Sequence, residues 1–321
     1  MSRRRLTLCP PRPIDLLLRS CPLFKFLSPR LRSVAIGLSI LLLATAAPAQ
    51  PNPEPALSAP RIVTLDWTIA ETLMGMGVAP QAVAQLSAYH DWVAEPALPD
   101  TVVDLGLRTQ PNLELLADLQ PDLILISPMF SNLAPRLNRI APVEQLELYI
   151  PGSDTWEQML QLTRDAARLA GQPQAGERLI AQAESILLAH RQQLPTATRP
   201  LLIVQFMDAR HVRVFGENGL YQAVLEQLEL ENAWPGQTNS WGFAMVGVEE
   251  LLGIDAQLVV VEPAPLGVQA QLADSGLWQT LPDVQNDSVI SLPPVWSFGA
   301  LPSAIRFADV LTHALVARHA Q

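Results

Sequence analysis

Glu114-Leu115-Leu116-Ala117-Asp118-Leu119-Gln120-Pro121-Asp122-Leu123-Ile124-Leu125-Ile126 holds an amphipathic helix, a break and a buried strand in one short run. Leu113, Leu115, Leu116 and Leu119 give the helix its apolar stripe. Pro121 and Asp122 stop it. Leu123 to Ile126 are apolar at every position, as in a parallel strand covered on both faces. Upstream, Arg61 to Asp66 and Val102 to Asp104 read as strands, and Ile69 to Met76 as a helix closed by Gly77. Strand and helix in alternation mark an α/β layer fold.

The same unit recurs downstream. Glu249-Glu250-Leu251-Leu252-Gly253-Ile254-Asp255-Ala256-Gln257-Leu258-Val259 aligns without a gap on Glu114 to Ile124, glutamate on glutamate and leucine on leucine. Each segment opens a helix on a carboxylate, which the helix dipole favours, and feeds a buried strand. Between them, Pro173 to Leu194 is alanine-rich with Leu and Ile at helical spacing, which predicts a helix roughly 30 Å long. The reading is two α/β lobes with mainly parallel sheets, residues 61–172 and 195–321, joined by that single helix over 173–194. A helix capped by Ser153 or Asp154 precedes it, and a helix over 303–317 ends the chain. Shorter elements are a helix over 133–139 and strands at 146–149, 201–206, 212–216 and 289–292. Tyr89 to Trp92 and Asn232 to Gly242 read as loops.

Residues 1–49 have the pattern of an export signal: arginines and Lys25 first, an apolar run from Val34 to Ala44, then Ala47-Pro48-Ala49. Ser2-Arg3-Arg4-Arg5-Leu6 resembles a twin-arginine signal. Residues 50–60 form a proline- and alanine-rich tether. Losing the leader removes eight cations and one acid, so the formal net charge moves from −10 to −17. Both cysteines, Cys9 and Cys21, go with it, which leaves no disulfide framework. A strongly acidic exported protein is a poor ligand for nucleic acid.

Chemistry for turnover is missing. There is no phosphate loop, dinucleotide motif or Gly-x-Ser-x-Gly elbow, which speaks against an enzyme. His190, His313 and His319 fall on predicted helices; only His90 and His211 stand where a cleft would be, so no metal site is assigned. What the loops do collect is aromatic. Trp67, Trp92, Trp241, Trp296, Phe298 and Phe130 lie near the ends of predicted strands, where α/β folds place ligands. Arg108, in Gly106-Leu107-Arg108-Thr109-Gln110-Pro111-Asn112, stands on a turn entering the first helix. Aromatics with one or two arginines suit a bulky, partly apolar ligand that exposes oxygen acceptors.

At this point the chain resembles the periplasmic ferric-hydroxamate siderophore-binding family of ABC importers. The likeness rests on Arg61-Ile62-Val63, Trp92-Val93-Ala94-Glu95-Pro96, Gly106 to Leu116, Arg139-Ile140-Ala141-Pro142, Asn232-Ala233-Trp234, Asn239-Ser240-Trp241-Gly242 and Val295-Trp296. It implies the two-lobed architecture of the class III periplasmic binding proteins, little hinge motion and a shallow aromatic cleft. Arg108 would then bond hydroxamate oxygens. Phe130 would stand where the family has a tyrosine donor, and Trp241 and Phe298 would line the cleft. Glu114 and Glu249 would meet arginines of a permease dimer. Iron would be held by the siderophore, with no protein cofactor, and the binding protein would be a periplasmic monomer. A corrinoid of the vitamin B12 type, a citrate-type siderophore or a free metal ion are the alternative ligands.

Overall fold

Ile62, Val63 and Thr64 are buried at every position, and the strands flanking them run parallel to them. The computed structural model describes residues 59–319. The expected leader, its two cysteines and nearly all of the tether lie outside the described residues.

The first half runs β1 (Ile62–Thr64), α1 (Trp67–Gly75), β2 (Ala82–Val83), α2 (Leu86–Trp92), β3 (Val103–Asp104), the pair β4 (Gly106–Leu107) and β5 (Gln110–Pro111), α3 (Leu113–Asp118), β6 (Leu123–Ile126), α4 (Ala134–Leu137) and β7 (Val143–Gln145). Its sheet has the order β3-β2-β1-β6-β7, every pair parallel. Then come α5 (Thr155–Leu169) and α6 (Pro173–Gln193). The second half follows as β8 (Leu201–Phe206), β9 (His211–Phe215), α7 (Leu220–Gln227), β10 (Phe243–Gly247), β11 (Gln257–Val261), α8 (Val268–Ala273), α9 (Pro282–Gln285), β12 (Ile290–Leu292) and α10 (Leu301–His319).

Period-2 side-chain direction sorts the strands' two faces. Ile62 and Leu125 face a helical layer, while Val63 and Ile124 face α3 and its Leu116. In the second sheet Ile203 and Val259 face the same helical layer, and Leu202 and Leu258 pack on the far side. One continuous core therefore runs through α1, α5, α6, α7 and α10 and touches both sheets. Among the described residues no helix is long and apolar enough to cross a membrane.

The second sheet, order β10-β9-β8-β11-β12, is mixed rather than mainly parallel. β8, β11 and β12 run parallel, but β8–β9 and β9–β10 are antiparallel. The cause is local. Only residues 207–210 separate β8 from β9, far too few for a parallel crossover. The Asp208 carboxylate accepts the N–H groups of Arg210 and His211, which closes the turn.

Other expectations shift as well. Tyr89 to Trp92 belong to α2, not to a loop, because the Asp104 carboxylate accepts the N–H groups of Gln85 and Leu86 and caps the helix from a distant strand. The strand expected at 146–149 lies at 143–145 instead; Tyr149 has φ +61°, which no strand allows. Glu249 is the second residue of a four-residue 3-10 turn, Val248–Leu251, where α3 is a true α-helix capped by the Asn112 side chain. β10 is a five-residue apolar run without alternation and α8 spans only six residues, too short for periodicity to assign either.

Candidate functional site

β4 and β5 pair antiparallel and leave Arg108 and Thr109 at the tip. Gly106, at φ +77°, makes the bend into β4, and its N–H donates to Asp104. The tip bends the Arg108 side chain back over the sheet. Its Nε donates to the Leu65 carbonyl at 3.1 Å. The guanidinium lies 4.4 Å from the Trp67 ring, 5.0 Å from Phe130 and 5.8 Å from Trp296. Nη2 stands 3.8 Å from Asp66, too far for a hydrogen bond. Burial pulls the Arg108 pKa down and Asp66 pulls it partly back. Both Nη nitrogens make no hydrogen bond among the described residues and still reach solvent.

Asp66 is already committed. It caps α1 by accepting the Thr68 N–H, and it accepts the Ser127 hydroxyl at 2.6 Å. It therefore offsets the charge of Arg108 without taking its donors.

A chain of edge-to-face and tilted rings spreads from this arginine. Trp67 and Trp296 are 5.1 Å apart, Trp296 and Phe298 5.1 Å, and Phe298 and Trp241 5.6 Å. Phe243 joins at 5.8 Å from Phe298, and Tyr149 at 5.7 Å from Trp241. At the far end Arg213 of β9 lies 5.2 Å from Phe243 and 5.6 Å from Phe298. An aromatic floor thus has one guanidinium at each end. Beside it opens a cavity of about 310 Å³, walled by Asp66, Thr68, Ser127, Tyr149, Trp241 and Phe298 among others. Asp66, Ser127 and the segment from Leu146 follow the carboxyl ends of β1, β6 and β7.

Of the aromatics singled out from sequence, Trp241 and Phe298 line this cavity. Trp67 and Trp296 are buried behind it and hold the floor: Trp67 donates to the Ala84 carbonyl and Trp296 to the Thr68 hydroxyl. Phe130, 1% exposed, is a core residue beneath Arg108. Trp92 is half-buried at the edge of the cluster that contains Trp67 and Trp296. Glu114 and Glu249 are both exposed. His90 is exposed on α2, and His211 pairs with Asp208 at an exposed turn. Sequence reasoning missed Tyr149, Asp66, Thr68 and Ser127. Only Asp66 carried a readable signal, as an N-cap residue directly before α1.

The segment bearing Trp296 and Phe298 is pinned to the first half. The Thr68 hydroxyl donates to the Phe298 carbonyl and the Tyr149 phenol to the Gly299 carbonyl. The Ala300 N–H and the Ser303 hydroxyl both donate to Glu71, which is fully buried on α1. Gly299 is needed there, since a Cβ would collide with Ser303 and Glu71. Burial is the largest effect on Glu71 and pushes its pKa up from 4.5 to about 8, against the two donors. The folded protein then holds a proton that the unfolded chain has lost. Stability from this group is full below pH 4.5 and declines as the pH rises to about 8, on the order of 1 kcal/mol per pH unit. Glu71→Gln should flatten that decline and melt no lower than the parent at pH 8. Melting curves of both proteins across this range check it; parallel pH profiles would contradict it.

Four large aliphatic side chains stay exposed around the site: Leu107 beside Arg108, Met129 beside Phe130, Ile150 on the cavity wall, and Met245 opposite Arg213. Exposed apolar surface around a cavity marks a binding face. Among the described residues there is no group of three or more His, Cys, Asp or Glu able to hold a metal ion.

The periplasmic binding protein family model matches residues 62–295. The iron(3+)-hydroxamate-binding protein FhuD of Escherichia coli is 34% identical over 287 residues, 88% of this chain and 94% of that one. The Fe(3+) dicitrate-binding periplasmic protein FecB of the same species is 27% identical, over 72% of this chain and 76% of that one. The crystal structure of the siderophore-binding protein FhuD of Vibrio cholerae with Fe3+-Desferal superimposes with a TM-score of 0.74 at 30% identity, covering 81% of this chain and 99% of that one.

Proposed function

Because the chain belongs to the periplasmic binding protein family, we propose that it captures a ferric hydroxamate siderophore in the periplasm and delivers it to an ABC importer for iron uptake. It is a binding protein and not an enzyme; the iron arrives already chelated, as cargo. The observation that carries the reading is Arg108: a stacked guanidinium whose terminal donors are uncommitted, above an aromatic floor. A hydroxamate chelate presents oxygen acceptors around an apolar body, and a planar guanidinium can meet two such oxygens together. A cavity of about 310 Å³ encloses only part of such a ligand, so the rest lies on the open rings and the exposed aliphatics.

The division into lobes at 61–172 and 195–321 with a connecting helix at 173–194, a monomeric state, and export through the leader with its arginine pair belong to the same reading. So does docking of a permease dimer on Glu114 and Glu249. Titration of the mature protein by tryptophan fluorescence against ferric siderophores, vitamin B12 and zinc ion tests it. The expected result is saturable quenching by ferric hydroxamates. Quenching by zinc or vitamin B12 alone would overturn it.

Phe130 offers a finer test. Its ring packs 5.0 Å from the Arg108 guanidinium, at the position where the resemblance puts a tyrosine donor. Phe130→Tyr should tighten ferric ferrichrome by about 0.5–1.5 kcal/mol, one hydrogen bond. If the tyrosine weakens every hydroxamate tested, that edge of the site takes apolar surface.

A further inference from the structure

Arg213 is an arginine without a partner acid. It is half-buried on β9, opposite Gln205 on β8 and Met245 on β10. Among the described residues no carboxylate comes within salt-bridge distance of it, whereas Arg108 at least has Asp66. Its one hydrogen bond is long, Nη1 to the Gln205 Oε1 at 3.4 Å. Its Nε is buried with no acceptor, and so is the Nε2 of Gln205. Nη2 makes no hydrogen bond and reaches solvent. Burial pulls the Arg213 pKa down, with Tyr221 the opposing influence. A desolvated cation left without counter-charge is costly, and proteins keep one where a ligand completes it. Phe298 shows which ligand space that is: the ring lines the cavity on one side and faces the Arg213 guanidinium on another.

We propose that Arg213 is a second ligand-reading cation, at the other end of the aromatic floor from Arg108, and that the chelate it serves is anionic, carrying carboxylate beside hydroxamate. This rests on reading the cleft as a ferric-hydroxamate site. A neutral trihydroxamate satisfies one guanidinium through its oxygen acceptors but brings no charge to the other. A carboxylate arm brings both the acceptors and the missing negative charge, through a short charge-assisted pair. Asp66 neutralises Arg108 in part, so the excess positive charge lies at the Arg213 end of the floor.

The test compares two probes on the mature protein and on Arg213→Gln and Arg213→Lys. One probe is ferric ferrichrome, which is neutral. The other is a ferric dihydroxamate–citrate chelate, which is anionic. Arg213→Gln is expected to weaken the anionic chelate about tenfold or more and the neutral one less than about threefold. Arg213→Lys keeps the charge without the planar fork and should fall between. Added salt should weaken the anionic chelate more in the parent than in Arg213→Gln. Equal losses on both chelates, or no loss on either, would overturn the proposal, because a merely structural arginine cannot sort ligands by charge. A parent protein that binds ferrichrome but not the anionic chelate would overturn it too, and would leave the hydroxamate reading standing. Binding of neither chelate would remove that reading itself. If Arg213→Gln does not fold, Arg213→Lys and the salt dependence of the parent decide the question.

Discussion

Cells carrying Glu114→Ala together with Glu249→Ala should lose siderophore uptake, by more than tenfold, while the purified variant binds its ferric siderophore as tightly as the parent. Both carboxylates are exposed, each in the first turn of a helical segment that follows a site-bearing strand pair. Glu114 lies two residues past the Asn112 cap of α3, in the first turn, where a helix dipole favours a carboxylate. Glu249 is the second residue of the 3-10 turn and folds back over Gly247, where any larger residue would meet it. Two separated acids that touch nothing in the cleft suit a partner that presents two arginines in fixed positions. Such pairs steer docking and set orientation more than they add affinity. If the acids only support their helix starts, each substitution costs about 0.3–1 kcal/mol of stability and nothing else. Measuring transport and ligand affinity on the same double variant separates the cases. Normal transport would end the docking role. Glu250, the exposed neighbour of Glu249, supplies the control: Glu250→Ala should leave transport unchanged.

Arg108→Ala should weaken ferric-hydroxamate binding by about 1.5–3 kcal/mol, the range for hydrogen bonds to a charged group, which is roughly tenfold to 150-fold in Kd. The side chain also covers Trp67 and Phe130, so some stability should go with it. Arg108→Lys separates the two roles. It keeps the charge but neither the stacking nor the planar pair of donors, and it should recover only part of the affinity. Isothermal titration of the three proteins checks this against their melting temperatures. An unchanged Kd in Arg108→Ala would remove Arg108 from the ligand.

The α/β pattern was legible where apolar runs are long or caps are strong. Leu123 to Ile126 and Leu201 to Phe206 are buried almost throughout, and α6 begins at Pro173 as its composition predicts. Asp154 caps α5 through the Glu157 N–H, as expected from its position. The elements that escaped depend on distant residues. α2 is capped from β3 by Asp104, and β10 exists because β9 offers it an edge. The repeat at Glu114 and Glu249 is real as sequence but yields an α-helix in one place and a 3-10 turn in the other. Gly253, at φ +81°, follows soon after that turn, with no counterpart glycine at Asp118.

The site was half legible. Arg108 stood out as a cation on a turn, and the aromatics as loop residues, but sequence could not say which rings face the cavity and which support them. That depends on tertiary hydrogen bonds: Trp67 to Ala84 and Trp296 to Thr68 turn those indoles inward, while Trp241 and Phe298 remain on the wall. Sequence offers Arg213 only as one of three arginines, with Arg210 and Arg306, able to help hold an anionic chelate, and does not place it. An unpaired, half-buried cation becomes visible only when the acids of the fold have been placed around it.

Anomalous diffraction at the iron edge, from crystals of the mature protein grown with a ferric hydroxamate, tests the central claim most directly. A single iron peak should appear over the floor between Arg108 and Arg213, beside Trp241 and Phe298, with hydroxamate oxygens and no protein atom in the metal's coordination sphere. Iron coordinated by protein side chains, or a peak away from that floor, would contradict the account.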